Sequence, residues 1–407
     1  MAPLRLGTSY WLDGRAGRAL RPSLHGIIDC DVAIVGAGVT GCAAAYFFAR
    51  AGARVVVVDR HRVGRGSTAA STALLMQEPD VDFAELERRH GFATARRMWM
   101  YSRTAVRRMR TMLQAIGAPA VHRVSSVYCA HNSRVVERLR RELALRHRAG
   151  IAAAWLSGVD ATRLVGFETP AAILTRGNAQ VDPYGAAMAL ERAARAHGAQ
   201  VFERSAARRI RTSGSNVAID LSHGQVRAGW VVIATGYATP EFKPLAGRFR
   251  LKNTYVVATA PLTRDERRAV GMGDVMLWDT ARPYHYARWT PDGRLLFGGD
   301  DHPQTPPRTR RARLRARTRH LWRELVDRYP TLESRRPAYA WEGLFATTPD
   351  GLPFVGRHRR YPRHLFALGY GGNGMTFGML AARALVRIAR GRPDEAEQLF
   401  GFDRFRR

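Results

Sequence analysis

The chain has 407 residues, 46% of them hydrophobic, which suits two joined domains with sizeable cores and is too much for one small core. It carries 65 basic against 34 acidic residues, a net charge of +31, and no apolar run of the length a membrane-spanning helix needs. The three cysteines, Cys30, Cys42 and Cys129, form no C-x-x-C pair, which argues against a disulfide framework or a thiolate metal site.

Residues 1–10 show neither an apolar signal core nor a twin arginine, so a cytoplasmic location is expected. Lys243 and Lys252 are the only lysines, and the arginines are spread along the whole chain. That dispersion speaks against nucleic acid as a dedicated partner, although charge alone would raise it. The densest cluster, 308–319, reads as a solvent-facing helix leading into Leu321 and Leu325, with a polyanion or membrane-surface contact as the alternative. The oligomeric state is not legible.

Asp31-Val-Ala-Ile-Val35 is a β-branched apolar run, as a buried parallel strand requires. Gly36-Ala-Gly38-Val-Thr-Gly41 follows at once, then a helix-forming stretch to Arg50 and a second strand, 53–58, ending at Asp59. Strand, G-x-G-x-x-G, helix, strand and acid in this order form a dinucleotide-binding fingerprint. Gly36 permits the turn, Gly38 admits a pyrophosphate, and Gly41 lets helix pack on strand. The phosphates meet a helix N-terminus, where free amides and the dipole favour negative charge. Asp59 is placed to accept from a ribose, and Arg60 follows it.

Gly64-Arg-Gly-Ser-Thr-Ala-Ala-Ser-Thr-Ala-Leu-Leu75 is rich in small and hydroxyl residues, among them Ser67, Thr68, Ser71 and Thr72. Val181-Asp-Pro183 precedes a helical stretch, and Trp230-Val-Val-Ile-Ala-Thr235-Gly236 is an apolar strand with a turn. Residues 83–148 read as mostly helical. Residues 254–260, 284–290 and 295–299 read as antiparallel strands, the last two joined by Pro291-Asp-Gly293. Near the end come Thr348-Pro-Asp-Gly-Leu-Pro-Phe-Val-Gly356 and Gly369-Tyr-Gly371-Gly372-Asn373-Gly374-Met375-Thr376, which opens a helix.

Taken together these motifs resemble the D-amino-acid oxidase, glycine oxidase and sarcosine oxidase family over nearly the whole chain. The resemblance implies an α/β fold with an α+β substrate part. A Rossmann-like FAD-binding domain (25–80, 165–240, 335–395) would interleave with an antiparallel-sheet substrate domain (81–164, 241–334). It implies FAD held without a covalent bond, since Ala69, Ala70 and residues 341–347 supply no histidine or cysteine. It also implies that the late helix start, from Gly371, Gly372 and Asn373 to Thr376, faces the flavin, its dipole stabilising reduced-flavin charge.

The activity implied is oxidation of the C–N bond of a small amine or amino acid by hydride transfer to flavin N5, with O2 or another acceptor taking the electrons. Such chemistry needs no metal and no nucleophile. Candidate pocket residues are Tyr255, Tyr284, Tyr286 and Arg288 in the substrate sheet, and Trp341, Phe345 and Asn373 in the late turn. Aromatic walls suit an amine, and Arg288 could pair with a carboxylate. Each tyrosine serves equally well as core, and Arg288 as a surface cation. The family's amino-acid oxidases carry a carboxylate-clamping arginine where this chain has Phe345, and Leu296 stands near the oxygen-activating lysine of sarcosine oxidases. Two alternatives stay open: a flavoenzyme acting on RNA, and an NADP-binding protein without flavin in which Arg60 meets the 2′-phosphate.

Overall fold

The structure is a computed structural model that describes residues 4–15, 19–237, 242–392 and 394–405. Among the described residues it contains two sheets, of eight and ten strands.

In the first sheet the central strand Gly26–Val35 lies between Val55–Val58 and Gly224–Gly236, with Gln200–Phe202 and Tyr361–Leu368 outside them. These five pair in parallel. Both faces of a parallel sheet are covered, which is why Val32, Ile34 and Val55 to Val58 are apolar without alternation. The helix Val39–Arg50 crosses between the first two strands and packs against Pro183–Ala196 and Gly374–Ala389. Its alanines 43–45 let those helices come close. Gly41 is forced: a Cβ there would stand 1.8 Å from the carbonyl oxygen of Gly36. The Asp182-Pro183 pair starts the next helix, with Asp182 Oδ1 accepting the Gly185 amide at 2.9 Å and proline in the first turn.

The second sheet runs Arg5–Thr8, Tyr339–Thr347, Arg250–Ala258, Leu295–Pro303, His285–Trp289, Val275–Asp279, His122–Cys129, Ala171–Gln180 and Leu74–Leu75, with Ala153–Ser157 beside Ala171–Gln180. The helix Arg310–Arg328 covers one face through Leu321 and Leu325. Burying each contributes about 1.5–3 kcal/mol. The arginine cluster is mostly exposed there, but Arg310 is buried against Glu342 and Arg317 pairs with Asp300 at 3.0 Å.

Strands Ala171–Gln180 and Tyr339–Thr347, expected with the flavin segments, pair in this second sheet. The region 83–148 holds the helices Phe83–His90, Phe92–Ala115 and Val136–Arg148, but also the strand His122–Cys129. All three cysteines are buried and none is in a disulfide. No helix among the described residues is long and apolar enough to cross a membrane.

Candidate active site

One long cavity is lined by both sheets. It begins at the glycine loop. The strand Gly26–Val35 ends in Gly36, whose φ of 105° an L side chain rarely adopts, and Gly38 stands at the N-cap of Val39–Arg50. Asp59 lines the cavity and braces this loop: Oδ2 accepts from the Ala37 amide and Oδ1 from the His61 amide, both at 2.7 Å. Arg60 lines the wall beside it, as do Thr235 and Gly236 from the strand Gly224–Gly236. Gly41 does not line the cavity; it seals the helix against the loop.

The hydroxyl-rich segment forms the next stretch of wall. Ser67, Thr68, Ser71 and Thr72 all line the cavity. Thr68 Oγ1 accepts the Val39 amide at 3.0 Å, Ser67 Oγ donates to the Leu344 carbonyl at 2.7 Å, and Ser71 Oγ accepts from Ala73 at 3.0 Å.

Behind this segment stand side chains that seize its carbonyls one after another. Ser9 donates to Ala69 at 2.6 Å, Trp341 Nε1 to Ala70 at 2.9 Å, and Trp11 Nε1 to Ser71 at 2.8 Å. Arg288 Nη1 donates to Thr72 at 2.9 Å, to Ala73 at 3.1 Å and also to Val181 at 2.9 Å. Five consecutive carbonyls are thereby held by side chains, while Ser67, Thr68, Ser71 and Thr72 line the cavity.

This arrangement corrects three of the pocket candidates. Arg288 is fully buried behind Thr72 and Ala73, and burial lowers its pKa to about 9. Trp341 is buried behind Ala70. Both side chains sit on the face of their strands that the cavity uses, but the segment 67–73 covers them. Tyr255 lies on the opposite face, in the core beneath Arg310–Arg328, and its neighbour Thr254 lines the cavity instead. Tyr286, Tyr284 and Phe345 do reach it.

The late glycine loop supplies the remaining wall through Gly371, Gly372, Asn373, Gly374 and Met375. Asn373 Nδ2 donates to the Met76 and Glu78 carbonyls at 3.0 and 2.9 Å. Thr376 is fully buried and donates to Met76 at 3.0 Å, so it anchors the helix without lining the cavity. The Gly372 amide donates to the carboxylate of Asp80. Sequence reasoning missed Asp80, which sits in the unremarkable run Glu78-Pro-Asp80 and carries no motif signal. Its side chain is exposed on the cavity wall, with the protein mass of both sheets packed around it. Desolvation by that surrounding protein raises its carboxyl to about 6, and Asp301 adds to the effect.

A cofactor with a diphosphate and a flat ring system fits these walls. Amides and hydroxyls line the middle, and a Cβ on Gly38 would already approach Thr68 Oγ1 to 3.1 Å. The cavity runs from Asp59 to Asn373. Gly36, Gly38, Thr68, Ser71 and Thr72 would hold the phosphates, Asp59 and Arg60 the nucleoside.

Comparison with known proteins agrees with this geometry. The family model for FAD-dependent oxidoreductases of the DAO type matches residues 31–388. Gamma-glutamylputrescine oxidoreductase of Escherichia coli is 27% identical over 402 residues, covering 97% of this chain and 91% of that protein. Glycine oxidase of Bacillus licheniformis is 26% identical over 388 residues, covering 91% and 96%. The crystal structure of glycine oxidase from Geobacillus kaustophilus superposes with a TM-score of 0.74 at 20% identity, covering 90% and 96%. A flavin-free NADP protein is thereby set aside: this chain belongs to the DAO family of FAD-dependent oxidoreductases.

Proposed function

We propose that this flavoenzyme oxidises the C–N bond of a small amine that carries no carboxylate next to the reacting carbon. The observation behind this reading is the fate of the arginines. Among the described residues the cavity is lined by two, Arg60 and Arg62, both next to Asp59 in the chain. Phe345 stands on the wall at the position where the family resemblance implies a clamping guanidinium for amino-acid oxidases, and Arg288 is held behind the segment 67–73. A relative named for γ-glutamylputrescine, an amine, accords with this.

When bound, FAD supplies the two-electron acceptor, taking a hydride at N5 from the carbon beside the nitrogen. The chain's own residues do the rest. Glycine-loop amides and the hydroxyls of Thr68, Ser71 and Thr72 grip the phosphates. Phe345, Trp278 and Tyr284 give an apolar, water-poor wall for the alkyl part. FAD is held without a covalent bond: among the described residues no cysteine lines the cavity, and the histidine that does, His61, lies beside Asp59.

Anaerobic mixing with a panel of amines and α-amino acids tests the reading, followed by admission of air. Amines should bleach the flavin, and re-oxidation on aeration would identify O2 as acceptor. Bleaching by α-amino acids alone, or by neither class, overturns it.

A further inference from the structure

Around Gly372 the cavity wall gathers oxygen atoms. A Cβ on Gly372 would stand 2.8 Å from the Tyr284 hydroxyl and 3.0 Å from Asp80 Oδ2, so these groups crowd one spot. Asp80 turns one oxygen to the Gly372 amide, and no arginine or lysine among the described residues forms an ion pair with it. Asn373, 3% exposed, has both amide hydrogens engaged by backbone carbonyls, which fixes its orientation and leaves Oδ1 without a partner.

Tyr286 adds a third acceptor by a chain of single protons. Thr254 has one hydroxyl proton, and its neighbours Asp301 and the Gly299 carbonyl can only accept it when Asp301 is ionised. With the Thr254 proton on one of those oxygens, Thr254 Oγ1 accepts from the Tyr286 hydroxyl, 3.0 Å away. The Tyr286 oxygen is left offering lone pairs, and Tyr286 lines the cavity.

We propose that Asp80, Tyr286 and Asn373 form a cation-binding pole that receives an aliphatic amine substrate as its ammonium, Asp80 taking the proton before the neutral amine releases hydride, and turns away ligands bearing a carboxylate there. An ammonium group offers only donors and positive charge, which matches three acceptors and one net negative charge. The aromatic rings of Tyr284 and Tyr286, 5.8 Å apart, add faces that favour a cation. This inference rests on the amine-oxidising reading above and names the group that selects the substrate.

The test uses FAD-loaded enzyme under anaerobic conditions at pH 8, titrated with butylamine, 1,4-diaminobutane and butyrate. Binding heat and the flavin spectrum are followed together. Both amines should bind at least about tenfold more tightly than butyrate. Asp80→Asn keeps an acceptor for the Gly372 amide but loses the charge; it should weaken both amines by about tenfold or more and leave FAD content unchanged. Amine affinities within about twofold of wild type in that variant, or butyrate binding as well as butylamine, overturn the proposal. If Asp80→Asn loses its FAD, Tyr286→Phe decides: weaker amine binding supports the pole, unchanged binding overturns it. Amine binding that depends on Asp80 without any bleaching would sink the oxidation reading alone. Bleaching indifferent to Asp80→Asn would sink the pole alone.

Discussion

The Arg288 guanidinium donates to the Thr72 carbonyl at 2.9 Å, and with that bond a residue expected to meet substrate becomes a brace for the cofactor wall. The same Nη1 reaches Ala73 and Val181. Arg288→Met keeps the bulk but strands three buried carbonyls. It should lower stability by about 3 kcal/mol or more, since an unsatisfied buried acceptor costs about 1–3 kcal/mol. FAD affinity should fall with it. Urea unfolding and flavin titration measure both, and unchanged values would mean the brace is idle.

Gly38→Val tests the diphosphate cradle. Its Cβ would approach Thr68 Oγ1 to 3.1 Å, and the branched methyls would project where the phosphates must come. The purified variant should be colourless, with secondary structure intact by circular dichroism. Full flavin occupancy would place the phosphates elsewhere.

Phe345→Arg tests the substrate class from the opposite direction. It sets a guanidinium on the cavity wall, able to bind a carboxylate by two parallel hydrogen bonds. Butyrate binding should tighten by about tenfold, the equivalent of about 1.4 kcal/mol. No gain in carboxylate affinity would show that this position does not meet the ligand.

A separate prediction concerns acid stability. Asp350, in the turn before Phe354–His358, is buried; burial pushes its carboxyl up, but hydrogen bonds from Arg404 and His90 outweigh it and hold the group well below the carboxylate range. Arg404 donates to both Asp350 oxygens and to the carbonyls of Phe400, Gly401 and Leu352. A depressed carboxyl gives stability that is present above its unfolded value of about 3.9 and is lost as pH falls through the folded value. Arg404→Ala should cost about 3–5 kcal/mol at neutral pH by leaving a buried charge unpaired. Its stability should also vary less with acid than wild type does below about pH 4. Parallel slopes for the two proteins would reject this account.

The parts of the fold written in local pattern were legible in the sequence. The glycine loop, the Asp182-Pro183 helix start and the 284–299 hairpin each depend on neighbours within a few residues. Strand parity was not, because Tyr255 and Thr254 are both plausible wall residues until the position of Arg310–Arg328 decides which face is core. Arg288 and Trp341 had the right face but the wrong depth, because nothing in their own strands reveals that residues 67–73 fold across them. Asp80 gave no local signal at all; its role comes from meeting Gly372, 292 positions away.

The chain passes repeatedly from one sheet to the other, leaving the first after Val55–Val58 for Leu74–Leu75 and the second after Tyr339–Thr347 for Phe354–His358. A cut after Tyr339–Thr347 leaves the second sheet whole but takes Phe354–His358 and Tyr361–Leu368 from the first. The first sheet is thus completed last, and the cofactor finds its berth only after the helix Gly374–Ala389 has been synthesised and docked. A ribosome-stalled chain lacking that helix should remain colourless however much FAD surrounds it.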